Sequence, residues 1–247
     1  MDDVLPCTIT GNNSSEPSQA IFQQEWQIYR TLVDENYLFH REAYECLHQI
    51  LIDDAVQPFR FLDLACGDAT ASMAALSGTR ISQYHGIDTS QPALDLAKAS
   101  LIALDCPVSL ELDDFVRALR ERPEATDVVW IGLSLHHLRS LEKLEVMSAI
   151  LRVLGPDGLL PIYEATSPDG ENRDGWLKRW DDQQPMWSAY SAEDWETINA
   201  HVHAADYPET APRWVSLGHA AGFDNVREVF VAPSDLFRLY SMRASPT

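Results

Sequence analysis

Between residues 61 and 163, short apolar runs alternate with stretches of helical periodicity, and this alternation restricts the fold more than any other feature. Residues 61–65 form an apolar run that stops at Gly67 and gives way to a helical stretch at 69–76. The pattern continues with strands at 81–87, 108–112, 128–133 and 158–163, and helices at 92–104, 116–121 and 141–154. Five strands separated by helices imply a parallel sheet covered on both faces, since each crossover must pack back onto the sheet. Two further strands, 226–231 and 236–242, are joined by Ala-Pro-Ser-Asp, too short for a parallel crossover. The expected fold is therefore α/β. It has a seven-stranded, mostly parallel sheet with an antiparallel C-terminal hairpin, helices on both faces, and a helical insertion between strands 5 and 6.

The remaining segments attach to that frame. Residues 1–17 are polar and offer nothing to bury, so a disordered tail is expected there, followed by one domain over 18–247. Apolar residues recur at helical spacing from Gln19 to Asp53, which predicts two helices broken near Glu35 and Asn36 and a helical cover over 18–57. The insertion, 165–212, holds Trp176, Trp180, Trp187 and Trp195. Such rings serve either as packing for extra helices or as the lining of a lid over a pocket. Ser191 followed by Asp194 reads as a helix start.

Composition excludes several classes. No run of eighteen apolar residues occurs, and the first twenty residues lack a secretion signal, so a soluble, cytoplasmic protein is expected. Four cysteines lie far apart without metal-ligand pairing, which gives no sign of a disulfide framework or a metal site. A net charge of −20 opposes a phosphate backbone, so nucleic acid is not the expected partner. The charge leaves the oligomeric state open.

Chemistry concentrates at the strand ends. The turn Phe61-Leu-Asp-Leu-Ala-Cys-Gly-Asp68 has no basic residue and only one glycine, Gly67, so it fits neither a Walker-type phosphate cradle nor a three-glycine dinucleotide turn. Its internal acid, Asp63, suits a ligand carrying positive charge, such as an amine or a sulfonium. The second strand ends at Asp88, 25 residues after Asp63, with Thr89 next to it. A carboxylate there can accept hydrogen bonds from both ribose hydroxyls, each worth about 1.5–3 kcal/mol. The third strand ends at Glu111-Leu-Asp-Asp-Phe115, which brings Asp113, Asp114 and the Phe115 ring to the same sheet edge, where they suit an adenine. Read structurally, these acids are instead helix caps or solvated strand ends.

Taken together, residues 58–243 resemble the Rossmann-like class I S-adenosylmethionine-dependent methyltransferases, small-molecule acceptor type. The family's glycine-rich first motif is matched at Asp63 and Gly67, with Ala65 and Ala69 in place of the outer glycines. The resemblance implies S-adenosyl-L-methionine as cofactor. Asp63, Ala65 and Gly67 would lie around the methionine moiety, Asp88 at the ribose, Asp114 and Phe115 at the adenine, and Leu133 would supply backbone. Gly155-Pro-Asp-Gly158 is similar to the turn that precedes the family's fifth strand.

Methyl transfer needs in-line approach and exclusion of water more than a dedicated base. For a hydroxyl acceptor, a histidine with a pKa near about 6.5 is the natural proton acceptor, and His136 and His137 follow the fourth strand at the cofactor edge. Tyr37 and His40, three apart in the N-terminal helical region, are the second pair of candidates. The pattern of exocyclic base-amine methylation, Asn-Pro-Pro-Tyr or its aspartate form, is absent after strand 4, which favours a small-molecule acceptor. Two other readings share these features: a nicotinamide-dependent oxidoreductase, which would want a roomier glycine turn, and a protein that binds the cofactor without catalysis.

Overall fold

The computed structural model describes residues 28–121 and 125–245. The expected disordered tail and the start of the first helix lie outside those residues. Residues 28–34 are helical (α1), and a turn separates them from α2, His40–Asp53. The break falls where expected, because Asn36 and Phe39 adopt left-handed backbone (φ 58° and 54°) that no helix continues through.

Strands β1 Phe59–Leu64, β2 Ile81–Asp88, β3 Val108–Leu112, β4 Thr126–Gly132 and β5 Leu154–Ser167 are all parallel, and β8 Phe237–Arg243 runs antiparallel to both β5 and β7 Asn225–Val231. The sheet order is β3-β2-β1-β4-β5-β8-β7. The fold is the expected one, with two differences. Strand β5 runs on through Glu164 to Ser167, and an eighth strand of two residues, β6 Glu209–Thr210, pairs with that extension.

Side-chain alternation along each strand builds two cores. Phe59, Phe61, Tyr84, Val128, Trp130 and Tyr163 face one side, against α2, α3 (Thr70–Leu76) and α4 (Gln91–Ser100). Leu62, Leu64, Ile87, Val129, Ile131 and Ile162 face the other, against α5 (Phe115–Glu121), α6 (Ser140–Val153) and α9 (Ala211–Ala221). Between β5 and β6 lie α7 (Arg173–Asp181) and α8 (Ala192–Ala205), and α8 starts at the Ser191–Asp194 capping box. Register brings the C-terminal ends of the parallel strands level: Asp63 sits beside Gly86 on one flank and Trp130 on the other, and Asp88 beside Leu112. That edge is where open α/β sheets hold ligands.

Candidate functional site

Three residues of the turn after β1 adopt left-handed backbone: Ala65, Gly67 and Ala69, at φ 55°, 54° and 53°. The chain curls so that amides point toward β2. Asp88 holds the curl, accepting the Gly67 N–H on Oδ2 (2.9 Å) and the Ser90 N–H on Oδ1 (2.8 Å). Ser90 in turn caps α4. The resulting cleft of about 270 Å³ is lined by Ala65, Gly67, Asp88, Ser90, Gly132 and Leu133, with His40 and Tyr44 among the residues closing it from the N-terminal helices. Among the described residues, no lysine or arginine lines it.

Asp63 is not at the cleft surface. Strand alternation puts it on the same face as Phe61, beneath the turn, where it is buried and accepts a hydrogen bond from the Tyr84 hydroxyl (2.6 Å). Burial pushes its pKa up to about 7, partly opposed by hydrogen bonds from Ser72 and Tyr84. Thr89 is exposed beyond the end of β2. Beyond β3, the Asp113 N–H donates to the Asp88 carbonyl (3.1 Å), which ties that loop to the cleft. The side chains there have local partners: Asp113 pairs with Arg117, Asp114 caps the Arg117 N–H (3.0 Å), and Phe115 packs against the α5–α6 core. None of the three lines the cleft.

The other half of the site is built around Glu164, in the extension of β5. It is fully buried and accepts the N–H groups of Ser134 (2.9 Å), Leu135 (2.7 Å) and His136 (3.2 Å), and Nδ1 of His136 lies 2.9 Å away. Leu133 turns the chain into this loop in left-handed backbone (φ 52°), its N–H bonded to the Tyr163 carbonyl (2.7 Å). Burial alone would lower the pKa of His136, but the Glu164 hydrogen bond and charge outweigh it and the net shift is upward. His137 remains exposed, its ring 4.1 Å from that of His136 and 5.4 Å from that of His201. Asp206, just past α8, is buried with Oδ1 3.3 Å from His137 Nδ1 and 3.8 Å from His136 Nε2. These groups line a second cavity of about 420 Å³, whose apolar walls include Leu32, Leu38, Trp180, Ile198 and Phe237. Tyr29 and Leu133 belong to both cavities.

The N-terminal candidates separate. His40 is buried beside the cleft with Nδ1 unpartnered, and burial lowers its pKa to about 4. Tyr37 does not share a helix face with it, as the spacing suggested, because the left-handed Phe39 starts a new helix between them. Instead Tyr37 stacks on Trp187 (4.9 Å, 2°), and its hydroxyl accepts the Ala189 N–H (2.9 Å). The four insertion tryptophans are all buried, mostly against one another. Both readings of them have substance: they form a core, and one of them, Trp180, also lines the second cavity. Sequence reasoning missed Glu164 and Asp206. The first had a signal, an acid continuing an apolar strand; the second had none nearby.

Residues 61–158 match the model of a methyltransferase domain. No curated protein matches the sequence. Among solved structures, the plantazolicin methyltransferase BamL, in complex with a desmethyl plantazolicin analogue and S-adenosylhomocysteine, aligns with a TM-score of 0.61 at 13% identity, covering 93% of this chain and 91% of that one. An O-methyltransferase family protein from Burkholderia thailandensis aligns at 0.60 and 19% identity over 87% and 57% of the two chains. The pyocyanin biosynthetic protein PhzM aligns at 0.56 and 20% identity over 81% and 54%. The chain thus spans little more than half the length of the latter two, and at these identities the likeness establishes the fold. The strand order, the left-handed turn and the matched segment agree: the chain carries a methyltransferase domain in the Rossmann-like fold of the class I S-adenosylmethionine-dependent methyltransferases.

Proposed function

We propose that the protein transfers a methyl group from S-adenosylmethionine to a hydroxyl on a small, largely apolar molecule. The observation that carries this reading is the junction of two cavities at Leu133 and Tyr29. One is a cleft with a carboxylate and, among the described residues, no lysine or arginine; the other is an apolar chamber with histidines at one end. A cleft without cations suits a sulfonium and a ribose and disfavours the pyrophosphate of a nicotinamide dinucleotide.

The cofactor supplies an electrophilic methyl group. Toward it, Asp88 accepts hydrogen bonds from ribose hydroxyls, while Ala65, Gly67 and the Leu133 backbone flank the methionine end. Thr89, Asp113 and Asp114 act at the adenine side with the Phe115 ring, which requires Asp114 and Phe115 to leave their present local contacts. Asp63 acts from below the turn. With its pKa near 7, it gains negative charge when a cation binds above it. In the second chamber, Trp180, Phe237 and the α1–α2 residues exclude water and hold a flat acceptor. A hydroxyl acceptor faces the end formed by His136, His137 and Asp206, where its proton is lost, His137 being the exposed member. His40 and Tyr37 serve position and packing, His40 against the cleft and Tyr37 against the insertion.

Among the described residues no helix is long and apolar enough to cross a membrane, and Cys46, Cys66 and Cys106 are unpaired, which fits activity in the reducing cytoplasm. The test is a titration of purified protein with S-adenosylhomocysteine and, separately, with NADH. Binding of the former alone is expected, and tight binding of NADH alone would overturn the reading. Release of S-adenosylhomocysteine with a panel of hydroxylated aromatic acceptors then separates an enzyme from a cofactor-binding protein without catalysis.

A further inference from the structure

We infer that His136, His137 and Asp206 hold a divalent transition-metal ion of the zinc type, with an open coordination position facing the second chamber for the acceptor's hydroxyl. The inference rests on the methyl-transfer reading only for what the ion does, not for its binding.

Three observations converge. First, one ligand atom from each of His136, His137 and Asp206 lies within 4.8 Å of the other two, and Asp206 Oδ1 is 3.3 Å from His137 Nδ1 and 3.8 Å from His136 Nε2. Ligand atoms about 2.1 Å from a tetrahedral ion sit about 3.4 Å apart. Second, Asp206 Oδ1 is buried and accepts no hydrogen bond, although two imidazole nitrogens are that close. Proximity without a hydrogen bond leaves that oxygen available to a ligand. A buried carboxylate oxygen without a partner is destabilising, and a cation beside it removes that penalty. Third, His136 is oriented from behind: Glu164 holds Nδ1 at 2.9 Å, which leaves Nε2 directed to the cluster. A carboxylate behind a ligating histidine is the usual outer support of a metal site.

The set of two histidines and one carboxylate suits zinc and its neighbours better than magnesium or calcium, which prefer oxygen throughout. His137 is exposed while His136 and Asp206 are buried, so the fourth position opens into the chamber. A hydroxyl bound there would lose its proton to solvent, because the ion lowers its pKa, and the oxygen's electron pair would form the bond to the methyl carbon as the carbon–sulfur bond breaks and S-adenosylhomocysteine leaves. The acceptor class is then a flat molecule whose hydroxyl binds a metal ion, such as a phenol.

The full chain, stripped with chelator, would be titrated with Zn²⁺ by calorimetry and with Co²⁺ by visible absorption. One equivalent is expected to bind, with Asp206→Asn and His137→Gln each weakening it at least tenfold. His203→Gln, which removes the surface His203–Asp181 pair, should leave binding unchanged. Affinity for S-adenosylhomocysteine, measured in parallel, confirms folding and tests the methyl-transfer reading separately. Saturable metal binding that both ligand variants leave intact, or none at all, overturns the site. A catechol probe is expected to shift the Co²⁺ bands, and unshifted bands would overturn the role assigned to the open position.

Discussion

The two cavities that meet at Leu133 are built on opposite plans. The floor of the cleft beside β1 and β2 is made of backbone, a left-handed turn whose amides are tied to one carboxylate, and the N-terminal helices close it with side chains such as His40 and Tyr44. The second chamber is made of side chains brought from far apart in sequence, with buried carboxylates at Glu164 and Asp206 beside the His136 ring. The first kind of site is cheap to fold and tolerant of neighbours. The second draws on the stability of the whole domain, because a buried carboxylate that loses its partners is costly.

The largest expected effect tests that contrast directly. Glu164→Ala leaves three backbone N–H groups and the His136 ring without their acceptor inside the core. Urea unfolding should register a loss of about 3–5 kcal/mol, the range for breaking a buried charged network. Where the variant still folds, affinity for S-adenosylhomocysteine should fall far less than it does on removal of Asp88. A comparable fall would mean that the two cavities are one energetic unit and that the contrast is wrong.

Protonation sharpens the comparison through two groups buried around the cleft, His40 beside it and Asp63 beneath its turn. The folded-state pKa of His40 is lowered to about 4, so the unfolded chain binds a proton that the native state refuses between pH 6.5 and 4, and stability is lost as pH falls through that window. Asp63 is raised to about 7, so the native state holds a proton between pH 3.8 and 7, and stability is lost as pH rises through that window. The two slopes oppose each other. Relative to wild type, His40→Leu should gain stability as pH falls from 6.5 to 4, by up to about 3 kcal/mol, and Asp63→Asn should gain it as pH rises from 4 to 7, by up to about 4 kcal/mol. Urea midpoints at several pH values measure both, and parallel curves for variant and wild type would remove the assigned burial effects.

Asp88→Ala should weaken S-adenosylhomocysteine binding by about ten- to a hundredfold, since it removes the one carboxylate that lines the cleft among the described residues. It also frees the Gly67 and Ser90 amides, but these sit at the half-exposed turn where water replaces the lost acceptor, so stability should change by about 1 kcal/mol or less. Calorimetry with unchanged affinity would withdraw the ribose role.

Why the cleft was legible and the chamber was not follows from distance along the chain. The turn at 61–69 and the acid closing β2 are local patterns, and strand alternation carries them to one sheet edge. The same alternation, followed strictly, groups Asp63 with Phe59 and Phe61 and so indicates its burial, a step that the appeal of an acid near a cation concealed. Periodicity also put Tyr37 and His40 on one helix, because it cannot register the left-handed residues Asn36 and Phe39. In the chamber, Glu164 and Asp206 reach His136 from 28 and 70 residues away, and no spacing rule relates them. Asp206 arrives there only because α7 and α8 fold back over the sheet on their buried tryptophans.

The smallest effect concerns the turn's own chemistry. A non-glycine residue in left-handed backbone costs about 1–2 kcal/mol, while glycine there gives back about 0.5–1 kcal/mol through its greater freedom in the unfolded chain. Ala65 and Ala69 both carry that cost, at φ 55° and 53°, and differ in burial: Ala69 packs into the core, whereas Ala65 borders the cleft. Ala65→Gly should therefore raise stability by up to about 1 kcal/mol, and Ala69→Gly should gain less or nothing, since it also gives up a buried methyl worth about 0.8 kcal/mol. Thermal unfolding of the two variants side by side reads the difference. A larger gain at Ala69 would mean that its methyl is strained against the core rather than packed into it, and the turn would then owe less to backbone than the contrast with the chamber requires.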